Sequence, residues 1–151
     1  MTTAASESKS ERLPMDRILV PVDFSTASQA GLDYAIELAK RFDAELILLF
    51  VVEPLYYAGD LGLLIEEQRR LAHEEMTTRA QRLSKLGIRY NTQVRTGTPY
   101  QIIAEEAERQ KANLIVMATH GRTGLSHMLL GSVTEKVVRT ATCPVLTVRP
   151  D

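Results

Sequence analysis

The stretch Glu45–Val52 reads ELILLFVV, a near-continuous apolar run with no polar alternation. A strand with one wet face would alternate; an unbroken run of this length is expected of a strand covered on both faces, as in parallel sheets. Upstream, RILVPV at Arg17–Val22 is short, apolar and β-branched, and it stops at Asp23. Between the two, Ala27, Gly31, Ala35, Leu38 and Phe42 recur every three or four residues, which predicts a helix from about Thr26 to Phe42. Downstream, Pro54–Gly62 reads as a loop. A long helix follows from roughly Leu63 to Leu86, with Ala72, Met76, Ala80 and Leu83 on one side and Gly87 ending it. Tyr90–Thr96 alternates weakly and reads as a more exposed strand at a sheet edge. Gly97-Thr98-Pro99 then supplies a turn, a cap and a proline at the first position of a helix running to about Gln110. Asn113–Ala118 is a fourth strand, Ser132 to about Thr140 a fourth helix, and Pro144–Val148 a last strand.

Strands alternating with helices of this length imply parallel strands joined by right-handed crossovers. The expected fold is α/β, a Rossmann-like doubly wound parallel sheet of five strands with helices on both faces and strand order 3-2-1-4-5. Such sheets bind ligands beyond the carboxyl ends of the strands, where the order reverses. Here that crevice falls between the first and fourth strands, next to Asp23 and the segment 118–132.

The bulk properties fit this reading. A chain of 151 residues suits one domain with a real core. With 44% apolar and 25% charged residues the composition is that of ordinary globular proteins. The net charge is −1 and no Lys/Arg run forms a nucleic-acid footprint, so a polyanion would have to be held locally. Cys143 is the lone cysteine, which fits a reducing compartment. MTTAASESKSERLP, residues 1–14, is small, polar and mixed in charge. It reads as a disordered tail before a domain over 15–151, and it lacks the apolar centre of a secretory signal. No stretch approaches the ~20 apolar residues of a membrane span. A cytoplasmic protein is expected.

The chemistry concentrates in ATHGRTGLSHMLLGSVTEKVV, residues 118–138. Gly121, Gly124 and Gly131 let a ligand approach the main chain closely. Successive amides in such a loop can converge on an anion, and the helix starting at Ser132 aims its free N–H groups at the same place. Ser132 and Thr134 can add hydroxyl donors, and Arg122 a planar cationic fork. Val22, Val51 and Val52 could line an apolar slot for the rest of a ligand. The plainer reading is a turn capped by Ser132. No G-x-x-x-x-G-K-[ST] is present, and the first strand is followed by VDFSTAS instead of G-x-G-x-x-G. Asp23 could hold a divalent cation such as Mg²⁺ together with phosphates, or cap the following helix. His120 could donate to a phosphate or serve the loop's own hydrogen bonding. His127 and His73 have no cysteine or clustered carboxylate partners, so no zinc site is expected. Cys143 reads as a small buried hydrophobe, Glu66, Glu67, Glu74 and Glu75 as a solvated helix face, and Met117 as core that could also touch a base.

These residues resemble the universal stress protein family over nearly all of the chain after the tail. ATP-binding members of that family share G-x2-G-x9-G-[ST] after the fourth strand. Here the pattern aligns as Ala118-Thr119-His120-Gly121, nine residues, then Gly131-Ser132, with Ala118 in place of the first glycine. ILVPVDFS at the first strand and CPVLTV at the last also match. The resemblance implies an adenine nucleotide (ATP, or AMP or a cyclic nucleotide) between the first and fourth strands. Asp23 would stand near metal and phosphates or ribose with Pro21 and Val22 beside it, and Val51 would flank the adenine. Gly121, Arg122, Gly131, Ser132, Val133 and Thr134 would surround ribose and phosphates. It further implies a dimer, and the residues point the same way: an apolar edge strand at Pro144–Val148 invites pairing with a second copy.

Other classes leave recognisable marks. An adenylate-forming enzyme would carry S-G-G-x-D-S or an H-I-G-H-type motif, and neither is present. A phosphorylated receiver needs an aspartate ending the third strand, where Thr96-Gly97 stands. A nucleotide-free interaction module is separable only by binding. Hydrolysis needs an oriented water and charge neutralisation; only Asp23 and His120 are near enough to orient one. Binding with at most slow ATP turnover is the expectation.

Overall fold

The computed structural model describes residues 14–54, 61–121 and 130–150. Nine elements alternate along it: β1 (Arg17–Pro21), α1 (Thr26–Phe42), β2 (Glu45–Val52), α2 (Leu61–Lys85), β3 (Tyr90–Thr96), α3 (Pro99–Arg109), β4 (Leu114–Ala118), α4 (Ser132–Thr140) and β5 (Val145–Val148). The strands form one parallel sheet in the order β3-β2-β1-β4-β5, as the sequence pattern predicts.

Strand pleating explains why both faces are apolar. Ile18, Val20, Leu46, Leu48, Phe50 and Val116 point to one side, where Leu32, Ala35 and Ile36 of α1 and Ala72, Met76 and Leu83 of α2 meet them. Leu19, Ile47, Leu49, Ile115 and Met117 point to the other, against Ile103 and Ala107 of α3 and Val137 of α4. An alternation invisible in ELILLFVV, because every position is apolar, thus divides the run between two cores. Gly31 lets α1 ride close over the end of β4: a Cβ there would lie 3.2 Å from the Ala118 nitrogen.

Several local expectations change. Phe42 closes the apolar stripe of α1 in sequence but is 49% exposed. Leu61 and Gly62 belong to α2 and not to the preceding loop; of that predicted loop, 55–60 lie outside the described residues, as does 1–13 of the predicted tail. Thr98 is the N-cap of α3 without a side-chain cap hydrogen bond, and Pro99 sits in the first turn as predicted. Gly87, with φ 69, follows α2 in the left-handed region that ends helices. Cys143 is half-buried against the α3/α4 core, and burial pushes its thiol pKa up, which disfavours the reactive thiolate.

Candidate functional site

At the carboxyl ends of β1 and β4 the chain leaves the sheet in opposite directions, and a cleft of about 680 Å³ opens there. Pro21, Val22, Asp23, Val51, Met117, Ala118, His120, Gly121, Gly131, Ser132, Val133 and Thr134 all line it. Every candidate residue from the sequence is therefore brought to one place except Arg122, which lies outside the described residues together with Gly124 and His127.

The turn after β1 is held by its own side chains. The Asp23 N–H donates to Ser28 Oγ at 3.1 Å, while Asp23 Oδ1 accepts from the Ser25 N–H at 3.0 Å and from Ser25 Oγ at 2.5 Å. Ser25, not Asp23, is the N-cap of α1, accepting from the Ser28 N–H at 3.1 Å. The capping alternative for Asp23 is thereby replaced: the carboxylate organises the capping serine and stays at the cleft wall.

On the other side, the strand end and the helix start are tied together. Thr119 N–H donates to Val148 O at 2.9 Å, and Gly131 N–H donates to Thr119 O at 2.5 Å. A Cβ at Gly131 would sit 3.3 Å from both His120 Cα and Thr119 O, so glycine serves the close approach of two backbone segments. Gly131 also takes the N-cap position assigned to Ser132 from sequence, and it brings no side-chain cap bond. Helix geometry then leaves the amides of Ser132, Val133 and Thr134 without intrahelical acceptors, aimed at the cleft. Thr134, 3% exposed, spends its hydroxyl proton on Ala118 O at 3.0 Å, so it fastens α4 to β4 instead of presenting that proton to a ligand. Ala118 itself lies in β4 and not at a positive φ, so its methyl suits the backbone where the family pattern has glycine. His120 Nδ1 lies 3.3 Å from Thr119 Oγ1, a contact within the loop, and the residue also lines the cleft, so both of its expected roles stand.

Val22, Val51, Ile103 and Met117 give the cleft apolar walls beside this polar end. Its lining carries the carboxylates of Asp23, Glu53 and Glu75 and the ammonium of Lys136, whose Nζ lies 5.0 Å from the Tyr100 ring centroid. Lys136, Tyr100, Thr98 and Phe24 were missed from sequence. Lys136 was findable, since it follows Ser132 by one helical turn and shares its face. Tyr100 was findable too, in the first turn of a helix that begins at the same end of the sheet. Among the described residues no group of three or more His, Cys, Asp or Glu gathers as a metal site, and no helix is long and apolar enough to cross a membrane.

A model of the universal stress protein family matches residues 14–149, and the chain belongs to that family. A universal stress protein of Methanocaldococcus jannaschii is 38% identical over 138 residues, covering 88% of this chain and 81% of the relative. The solved universal stress protein of Lactobacillus plantarum superposes with a TM-score of 0.84 at 30% identity, covering 91% of this chain and all of that one. Two more distant structures share the fold alone. One is a universal stress protein in complex with cAMP, with a TM-score of 0.69 at 23% identity, covering 88% of this chain and 96% of that one. The other is an Arabidopsis thaliana family protein with AMP bound, with a TM-score of 0.68 at 19% identity, covering 90% and 92%.

Proposed function

We propose that the cleft binds an adenine nucleotide, ATP with Mg²⁺ in the first instance, and that the chain works as a cytoplasmic homodimer in which the nucleotide sets conformation for stress response or signalling. The observation that carries the reading is the convergence of the free α4 amides, Gly121 and Gly131 on one end of a cleft whose other walls are apolar. Its volume lies within the ~300–1,000 Å³ of small-molecule sites. Neighbours of the same fold carry AMP and cAMP, which supports an adenine ligand class.

Magnitudes require the parts to act together. A helix dipole contributes about 0.3–1 kcal/mol, whereas micromolar affinity needs about 8 kcal/mol. Hydrogen bonds to a charged phosphate contribute about 1.5–3 kcal/mol each, so three amides and an apolar slot for the base reach the required range. The carboxylates of Asp23 and Glu53 oppose a polyphosphate unless its charge is reduced, whereas that of Glu75 is paired with Arg79. Mg²⁺ brought by the phosphates would do this, and Asp23 is the residue that would hold it, in the way this ion binds with one or two carboxylates. Asp23 is engaged by Ser25, and in this reading the nucleotide is bound with slow turnover at most.

The dimer forms through β5 and its flank, Pro144–Val148. β5 is an edge strand, its residues Val145, Leu146 and Val148 are half-buried, and a two-fold pairing would cover both copies alike. Titration calorimetry with Mg·ATP, AMP and cAMP tests the ligand. Micromolar binding of at least one of them is expected, and heats indistinguishable from dilution for all three would leave a nucleotide-free interaction module.

A further inference from the structure

Phe24 has φ 65, in the left-handed region where a bulky side chain is an outlier. Glycine would adopt this φ freely, so the ring is present in spite of the backbone, and its contacts support a turn that Asp23, Ser25 and Ser28 also hydrogen-bond. Those contacts come from two other elements. The Phe50 ring of β2 stacks on it with centroids 4.5 Å apart and planes 6° from parallel. The Arg79 guanidinium of α2 lies 4.5 Å from its centroid and is steadied by Glu75 at 2.6 Å. A strained residue persists where its surroundings over-determine it, and a planar guanidinium over an aromatic face is a strong form of such support.

The position of the strain gives it consequence. Phe24 stands between Asp23, whose carboxylate lines the cleft, and Ser25, whose N–H and hydroxyl that carboxylate accepts. The left-handed φ at residue 24 is what folds the Ser25 amide back onto the Asp23 side chain. We infer that Phe24, clamped by Phe50 and Arg79, is a positioning residue that fixes the Asp23 carboxylate at the cleft and thereby sets affinity for the phosphate–metal end of the ligand. The inference rests on the nucleotide reading of this cleft for its effect on affinity, and on geometry alone for its effect on the turn.

The experiment has two arms, run well below the melting temperature on the full chain. Amide hydrogen exchange of Ser25 and Ser28 is measured without ligand, and Mg·ATP and adenosine are titrated by calorimetry. Phe24→Gly, which relieves the backbone and removes the ring, and Arg79→Ala, which leaves the ring in place, should each speed Ser25 exchange tenfold or more. Each should weaken Mg·ATP about tenfold while leaving adenosine within twofold; Phe24→Tyr, which keeps the ring, should restore both readings. A ring that merely fills space would lower the melting temperature with Ser25 exchange and the Mg·ATP to adenosine ratio unchanged, and that result overturns the inference. If the wild type binds no nucleotide the functional proposal fails by itself, and unchanged exchange in Phe24→Gly and Arg79→Ala then sinks the clamp as well.

Discussion

One methyl group added at Gly121 should separate binding of the phosphate end of a nucleotide from binding of its base. Gly121 is not at a positive φ, so alanine suits the backbone. A Cβ there would collide with Asp23 Oδ2, and the carboxylate must turn away. Turning it disrupts at least one of its bonds from Ser25, the N–H at 3.0 Å or the hydroxyl at 2.5 Å. The turned carboxylate also leaves the phosphate–metal end of the proposed ligand, and one lost charge-assisted contact there is about 1.5–3 kcal/mol. At about 1.4 kcal/mol per decade, Gly121→Ala should weaken Mg·ATP about 10–100-fold. Adenosine, which the proposed reading seats against the apolar wall of Val51 and Met117, should bind as before. Calorimetry with both ligands in both proteins measures the split. Equal Mg·ATP affinity in wild type and Gly121→Ala would refute the placement of Asp23 at the phosphates.

Gly131→Val adds bulk where a Cβ already lies 3.3 Å from His120 Cα and Thr119 O. It should abolish nucleotide binding by parting α4 from β4, and retained affinity would move the phosphate end elsewhere. Glu106, 4% exposed, is pushed up in pKa by burial, but hydrogen bonds from Arg109 and Gln110 and the charges of Arg95 and Arg109 more than offset this and hold it below the ordinary value. A depressed folded pKa stabilises above the unfolded value of about 4.3 and is lost as pH falls through the folded value. Both arginines are partly exposed and can rehydrate, so Glu106→Gln should cost about 1–2 kcal/mol at pH 7, a fall of about 2–8 °C in Tm. That gap should close in acid, and a constant gap down to pH 3 would show that the ion pairs are not its source. Val145→Asp or Val148→Lys, on the edge strand, should give monomers in sedimentation; dimers surviving both would place the interface elsewhere. Phosphate release should stay far below the enzyme range of ~1–10³ per second, and several turnovers per second, lost in Asp23→Asn, would make the protein an ATPase.

The sheet was legible because its signals are local and redundant. ELILLFVV and LIVMA have no polar alternation, the intervening helices keep a period near 3.6, and together they leave a doubly wound order as the natural arrangement. Most of the cleft was legible too, since a topological switch point sends Asp23 and Gly131 to the same end of the sheet. What escaped the sequence was information about direction. Nothing in VDFSTAS says that Phe24 is left-handed or that its ring reaches Phe50 and Arg79, since those contacts join three elements far apart in the chain. Thr98 was read correctly as a cap, but the cap read at Ser132 falls one residue earlier and the capping alternative for Asp23 falls to Ser25, for a related reason. Asp23, Ser25, Gly131 and Ser132 are all good capping residues, and only the backbone angles decide which of them stands at the helix boundary. The α1 stripe likewise overran its buried positions at Phe42, because periodicity marks a face and not where its burial ends.

Native mass spectrometry of the protein purified without added nucleotide, followed by titration with Mg·ATP, tests the central claim most directly. The account predicts chains carrying an adenine nucleotide, or bare chains that take up one Mg·ATP each at micromolar concentration. Bare chains that stay bare at millimolar Mg·ATP, AMP and cAMP would contradict it.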